Sequence, residues 1–219
     1  MMGDVSEMDA FLASFPATND ADLMLCHEHG AAYQADMSYR VAVPYFDKCM
    51  EYRGEEIALR INICRRTLVD AYAGCSRAVL DVGVGSGEFI EARPHTWGYD
   101  VDERAAAWLR EVGKWSDRFE DFWAFTFWDV IEHLEEPYWD YFRHIRPGAY
   151  LFTCLPIFTD LCRIRESRHY RPGEHLMYFT EEGFVRWMRM HGFECLERND
   201  FETRAGRDSI LSFVFRRSS

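Results

Sequence analysis

The sequence predicts an α/β domain: a mostly parallel sheet with helices on both faces and a closing antiparallel hairpin at one edge. Three observations carry this. From residue 55 onward, short apolar runs of strand length alternate with helical patterns. One such run, Arg77 to Val82, passes directly into the glycine turn Gly83-Val84-Gly85-Ser86-Gly87. The chain then ends on two strand-like segments, about 193–199 and 208–216, with no helical pattern between them.

In chain order, residues 1–54 read as an irregular, partly helical lead-in covering the site, and 55–219 as the domain proper. No repeat, low-complexity tract or Pro/Ser-rich linker marks another boundary. A helix is expected at about 55–73, with Ile57, Ile61, Cys64 and Leu68 on one stripe and Gly74 as its stop. After the glycine turn come a short helix over about 86–93 and a strand ending at Tyr99-Asp100. Asp102 caps a helix running to Val112. Residues 122–129, FWAFTFWD, read as a buried strand. Pro137 opens a further helix, closed by Pro147-Gly148, and AYLFTCLP (149–156) is again a strand. Thr180 then caps a helix over 181–191.

Composition narrows the function classes. With 37 acidic against 25 basic residues the formal charge is −12, a field that repels phosphate backbones and disfavours nucleic acid as a partner. No apolar stretch approaches the roughly 18 residues of a membrane span. The start, MMGDVSEMDAFLASFP, lacks the basic-then-apolar pattern of a secretory leader. Seven scattered cysteines without a CxxC pair predict reduced thiols and a cytoplasmic location. Cys26-His27-Glu28-His29 with Cys49 has poor spacing for zinc. Aromatic residues make up 16%, enough to line a pocket as well as fill the core.

The glycine turn carries the chemistry. Glycine permits positive φ and lets a ligand approach the backbone closely, and the free amides opening the next helix suit a polar group. Asp100 ends the following strand, 19 residues after Asp81. In an open, Rossmann-like sheet that is where a carboxylate grips the ribose hydroxyls of a nucleoside cofactor. The spacing is GxGxG preceded by an acid, not the dinucleotide GxGxxG, and no P-loop lysine follows.

LDVGVGSGEF followed by GYDVD resembles the first two motifs of class I S-adenosylmethionine-dependent methyltransferases. FWDVIEHLEEP is similar to a segment of the ubiquinone-biosynthesis O-methyltransferases, and EHLMYFTEEGFVRWMRMHGFE to a stretch near the end of many such enzymes. Together they span about residues 77–195. The resemblance implies S-adenosylmethionine as cofactor, with Asp81, Gly83, Gly85 and Gly87 around its methionine part and Asp100 on its ribose. Asp129 counts with these cofactor positions. Between Asp100 and Asp129 the chain departs from the pattern, being short for a third strand. Trp115, Ser116 and Asp117 are expected as a shortened version, with Asp117 toward the adenine.

Asp129-Val130-Ile131-Glu132-His133 follows the central strand and should emerge at the cofactor edge. Three readings stand side by side. His133 is a general base for an acceptor hydroxyl or amine; or Asp129, Glu132 and His133 hold a divalent ion; or Glu132 and His133 lock the loop and touch the cofactor. His175, in the connection after the strand ending at Pro156, is a second candidate on the acceptor side. The sulfonium already makes the methyl group electrophilic, so the protein must chiefly position the acceptor and exclude water. The expected partner is a small molecule methylated at O or N. The alternatives are a nucleic-acid base or protein side chain as acceptor, a non-catalytic module binding the cofactor, and a dehydrogenase on the same fold.

Overall fold

In a computed structural model describing residues 22–36, 45–134 and 141–218, two sheets organise the chain. The strands are β1 (Leu23–Cys26), β2 (Ala31–Gln34), β3 (Val79–Val82), β4 (Thr96–Tyr99), β5 (Ala124–Trp128), β6 (Tyr150–Pro156), β7 (Met177–Phe179), β8 (Phe193–Asn199) and β9 (Ile210–Arg217). The helices are α1 (Tyr45–Glu51), α2 (Glu56–Ala73), α3 (Glu88–Ala92), α4 (Glu103–Glu111), α5 (Tyr141–His144), α6 (Glu181–Met190) and α7 (Phe201–Arg204).

The main sheet has the order β4-β3-β5-β6-β9-β8. Its first four strands are parallel, while β9 pairs antiparallel with both β6 and β8. β5 is buried at every residue, as a central parallel strand covered on both faces must be. Along β3 and β5 alternate side chains enter two separate cores. Leu80, Val82, Phe125 and Phe127 meet Phe184, Trp187 and Met188 of α6. Val79, Ala124 and Trp128 meet Leu68, Val69 and Ala73 of α2 and Phe89 of α3. β8 alternates buried and exposed residues, the pattern of an edge strand with one wet face. This is the mostly parallel sheet with a closing antiparallel pair that the sequence predicts, except that the short helix α7 stands in the β8–β9 connection, where the sequence predicts none. The caps also hold: Asp102 accepts from the Arg104 amide and Thr180 from the Gly183 amide.

The lead-in differs from expectation. Beside the helix α1, expected of an irregular, partly helical lead-in, β1 and β2 form a hairpin that pairs with β7 in a second, three-stranded sheet. Ala31 lies opposite Phe179 in that ladder; a partner so distant along the chain leaves no local periodicity to read. The helix start at Pro137 lies outside the described residues; among the described residues that helix is α5. Trp115 makes an isolated parallel bridge to Gly98, the shortened third strand. Among the described residues, no helix is long and apolar enough to cross a membrane.

Candidate active site

β3, β4 and β5 deliver their carboxyl ends to one edge, where the chain turns sharply. The Gly83 amide donates to the Tyr99 carbonyl at 2.9 Å, locking the turn to β4. Gly83 has φ 76°, and a Cβ there would lie 2.5 Å from a Val130 methyl carbon. Gly87, the residue before α3, has φ 77°, and its Cβ would lie 2.2 Å from the Trp108 ring. Both positions exclude a side chain by conformation and by space. At Gly85 an added Cβ would meet nothing nearer than Cys49 Sγ at 3.9 Å, so this side of the turn faces open space.

Asp100 is bonded into the turn. Its Oδ2 accepts from the Val84 amide and its Oδ1 from the Asp102 amide, both at 2.9 Å. Burial raises its pKa, with these amides opposing. Asp102 in turn accepts from the Phe46 amide at 3.2 Å, which fixes α1 over the site. Asp81 is buried at the end of β3 and accepts from the Thr126 hydroxyl at 2.5 Å. Burial pushes its carboxyl up to about 7, against the opposing effects of Thr126 and Arg65.

These groups border a cavity of about 760 Å³, a size suited to a cofactor and a small second molecule. Its roof is α1 and α2, through Tyr45, Phe46, Cys49, Ile61, Asn62 and Arg65. The lining also carries an ion-pair network. Asp129, at φ 56°, receives Arg207 at 2.7 and 2.9 Å and Arg65 at 3.0 Å. Both guanidiniums also reach Glu202, whose side chain is completely buried. Arg65 lies over the Trp128 ring, 4.8 Å from its centroid. Burial would raise the Asp129 pKa, but Arg207 and Arg65 hold it well below the usual carboxylate range.

The sequence-predicted residues fall into three places. Asp81, Gly83, Gly85, Asp100, Asp129 and His133 line the cavity, and Gly87 opens the helix beside it. Glu132 and His175 are buried behind His133. Their segments are clamped together: His133 Nδ1 donates to the Glu174 carbonyl at 2.7 Å, and the Leu176 amide to the Glu132 carbonyl at 2.7 Å. The His133 and His175 rings meet edge to face at 4.7 Å. Burial pulls the His133 pKa down and, with His133 beside it, takes His175 to about 3. Burial and the Asp129 charge hold the Glu132 carboxyl well above the carboxylate range. Asp117 is exposed and does not line the cavity. Cys49 lies at the cavity, whereas Cys26 contacts His29 at 2.8 Å.

Sequence reasoning missed Arg65, Glu202 and Arg207. Arg65 had a legible signal, a charge one turn beyond Ile61 on the apolar stripe of its helix. Glu202 and Arg207 sit in the β8–β9 connection, where nothing local marks them.

A glycine turn backed by a carboxylate, opening onto a cavity at the carboxyl edge of a parallel sheet, defines a Rossmann-like nucleoside site. The family model described as a methyltransferase domain matches residues 33–198, and the chain belongs to that family. No curated protein matches the chain in sequence. Among solved structures, it is similar to a Thermotoga maritima S-adenosylmethionine-dependent methyltransferase described as a possible histamine N-methyltransferase. The TM-score is 0.57 at 15% identity, covering 78% of this chain and 95% of that one. It is also similar to Burkholderia thailandensis 1,6-didemethyltoxoflavin-N1-methyltransferase, with TM-score 0.56, 15% identity and 94% and 100% coverage. The N-methyltransferase NodS from Bradyrhizobium japonicum gives 0.53 at 14% identity, with 81% and 100% coverage. At these identities the likeness is one of fold.

Proposed function

We propose that the protein transfers a methyl group from S-adenosylmethionine to an oxygen or nitrogen of a small-molecule acceptor. The observation that carries this reading is Asp100 held by the Val84 and Asp102 amides, at the mouth of a turn whose Gly85 faces an open cavity. Family membership supports it. So do the Burkholderia structure, which holds S-adenosylhomocysteine with its own acceptor, and the Bradyrhizobium structure, which holds S-adenosylhomocysteine.

The residues present fit the cofactor. Gly83, Gly85 and Gly87 keep the turn free of side chains, and Asp81 offers a buried carboxyl to the methionine end. The Asp100 oxygens, each already accepting one amide, retain lone pairs for the ribose hydroxyls. Asp129 shapes the cavity wall through Arg65 and Arg207. When bound, S-adenosylmethionine supplies an activated methyl group, so the chain's work is to hold the acceptor in line and keep water out. α1, within the lead-in of residues 1–54, and α2 after it perform the exclusion in this reading. His133, on the wall, and His175, behind it, form the acceptor side, where the acceptor's proton is handled.

The segment Asp129 to Leu134, DVIEHL, supports a place beside the ubiquinone-biosynthesis O-methyltransferases. The charge of −12 favours a small molecule over nucleic acid as acceptor. Seven unpaired cysteines accord with a cytoplasmic location. Calorimetry tests the core of the proposal: saturable binding of S-adenosylmethionine and S-adenosylhomocysteine, with NAD much weaker, is the expected result. Tighter binding of NAD overturns it.

A further inference from the structure

Asn62 sits in the interior of α2, 8% exposed, and lines the cavity. Its side-chain amide makes no hydrogen bond among the described residues. Packing does not account for an asparagine here. The buried face of α2 is otherwise apolar, through Ile61, Leu68, Val69 and Ala73. Asparagine is a poor residue for a helix interior, and a buried amide without a partner is costly. Such a group calls for a ligand.

Arg65 follows one turn later and lines the same cavity. Its Nε and Nη2 hold Glu202, Asp129 and the Cys154 sulfur. Nη1 is left without a hydrogen bond among the described residues, and the anchored side chain fixes where that donor stands. With a rise of ~1.5 Å per residue, Asn62 lies ~4.5 Å along the axis from Arg65 and ~9 Å from Glu56. The start of α2 is the end tied to the glycine turn, because Arg53 donates to the Ser86 carbonyl at 3.1 Å and the Gly54 amide to Glu88 at 2.9 Å. Asn62 is thus closer along the helix to the side chain that holds Asp129.

We infer that Asn62 and Arg65 recognise the methyl acceptor, and that this acceptor is a neutral planar molecule with a lactam edge, an N–H beside a C=O. The Asn62 amide accepts through Oδ1 and donates through Nδ2, so it pairs with an edge offering one of each. Arg65 Nη1 gives the carbonyl oxygen a second donor. Neutrality follows from the charges. Arg65 and Arg207 are matched by Asp129 and Glu202, and the chain's net −12 opposes an anion. A cation at these groups would face the Arg65 guanidinium. Tyr45, Trp128 and Tyr141 add aromatic rings to the lining, which suits a flat partner.

The assignment to the acceptor rests on the methyltransferase reading, so the probes are titrated with the cofactor product bound. Full-length protein saturated with S-adenosylhomocysteine receives 2-quinolone or hypoxanthine, each beside its counterpart without the carbonyl, quinoline or purine. Ligand-observed NMR gives the affinities. At least one lactam should bind about tenfold more tightly than its counterpart, the scale of a hydrogen-bonded edge lost. Asn62→Leu should cut that preference to about twofold or less, with S-adenosylhomocysteine affinity retained. Its melting temperature should equal or exceed wild type, because an apolar group replaces an unpartnered amide. Circular dichroism checks folding, and Asn62→Ala serves if the leucine variant fails to fold. Equal binding of lactam and counterpart in both pairs overturns the inference, as does a preference that survives in the folded variant. A parallel loss of S-adenosylhomocysteine affinity overturns it too, by giving Asn62 to the cofactor. Calorimetry of S-adenosylhomocysteine on the same wild-type sample separates the two ideas. If it binds while the lactams show no preference, only the acceptor assignment falls; if it does not bind, the methyltransferase reading falls and takes the assignment with it.

Discussion

The Asp100 carboxylate accepts a hydrogen bond from the Val84 backbone amide at 2.9 Å, joining the acid at the end of β4 to the glycine turn at the end of β3. One side chain thus braces the turn and presents oxygen to the cavity. Asp100→Ala should weaken S-adenosylhomocysteine binding by about 1.5–3 kcal/mol, the range for losing hydrogen bonds to a charged group. Isothermal calorimetry on the folded variant decides it, and an unchanged affinity would mean a different acid holds the ribose.

Asp81 is expected to make cofactor binding pH-dependent. Its carboxyl, raised by burial to about 7, stays protonated below that pH in the free protein. A cationic ligand favours the ionised form, so binding below pH 7 must expel a proton. Affinity for S-adenosylmethionine should therefore fall as pH drops through 7, by at most about tenfold per unit, or 1.36 kcal/mol. Asp81→Asn should flatten that slope; a slope identical to wild type would count against the assignment.

Gly87 tests whether the turn tolerates a side chain. Gly87→Ala meets both a left-handed φ of 77° and the Trp108 ring at 2.2 Å. Destabilisation on the order of 1–3 kcal/mol is expected from thermal or urea unfolding. Adding Trp108→Leu should recover the part due to collision and leave the conformational cost of about 1 kcal/mol. If the second substitution makes no difference beyond its own effect, contact with Trp108 is not what limits the site.

Glu202 is the buried anion shared by two arginines. Glu202→Ala leaves Arg65 and Arg207 with Asp129 as their remaining acid in this network, and loss of one partner from a buried ion pair costs about 3–5 kcal/mol. The melting temperature should drop clearly, and the α2 side of the cavity should lose rigidity in hydrogen exchange. A variant as stable as wild type would show that the network is incidental.

His133 should affect turnover more than cofactor affinity, since it lines the cavity without being part of the glycine turn. Once an acceptor is identified, His133→Ala is expected to lower kcat by about 10²–10⁴, with S-adenosylhomocysteine affinity nearly unchanged. Parallel losses in both would assign His133 to the cofactor end instead.

Much of the cofactor edge is legible because it is local. Arg77 to Gly87 announces a strand and a turn within eleven residues, with a helix directly after, and Asp102 and Thr180 cap helices through amides two or three residues away. Asp117 shows the limit of carrying a motif over by position. The shortened third strand forms at Trp115, yet two residues later the acid is exposed and outside the cavity lining.

From residues alone came the sheet's order of strand and helix, the edge at which a nucleoside would bind, and two acids that stand there, Asp81 and Asp100. Each of those follows from hydrophobic period or turn chemistry acting over a few neighbours. Folding decided the wall that Arg65, Asp129, His133 and Arg207 form. Arg65 meets Glu202 across 137 positions and Arg207 meets Asp129 across 78. His133 meets the Glu174 carbonyl across 41. Contacts that long have no period or spacing in the chain; they exist because strands from distant segments stop at one sheet edge and bring their loops together there.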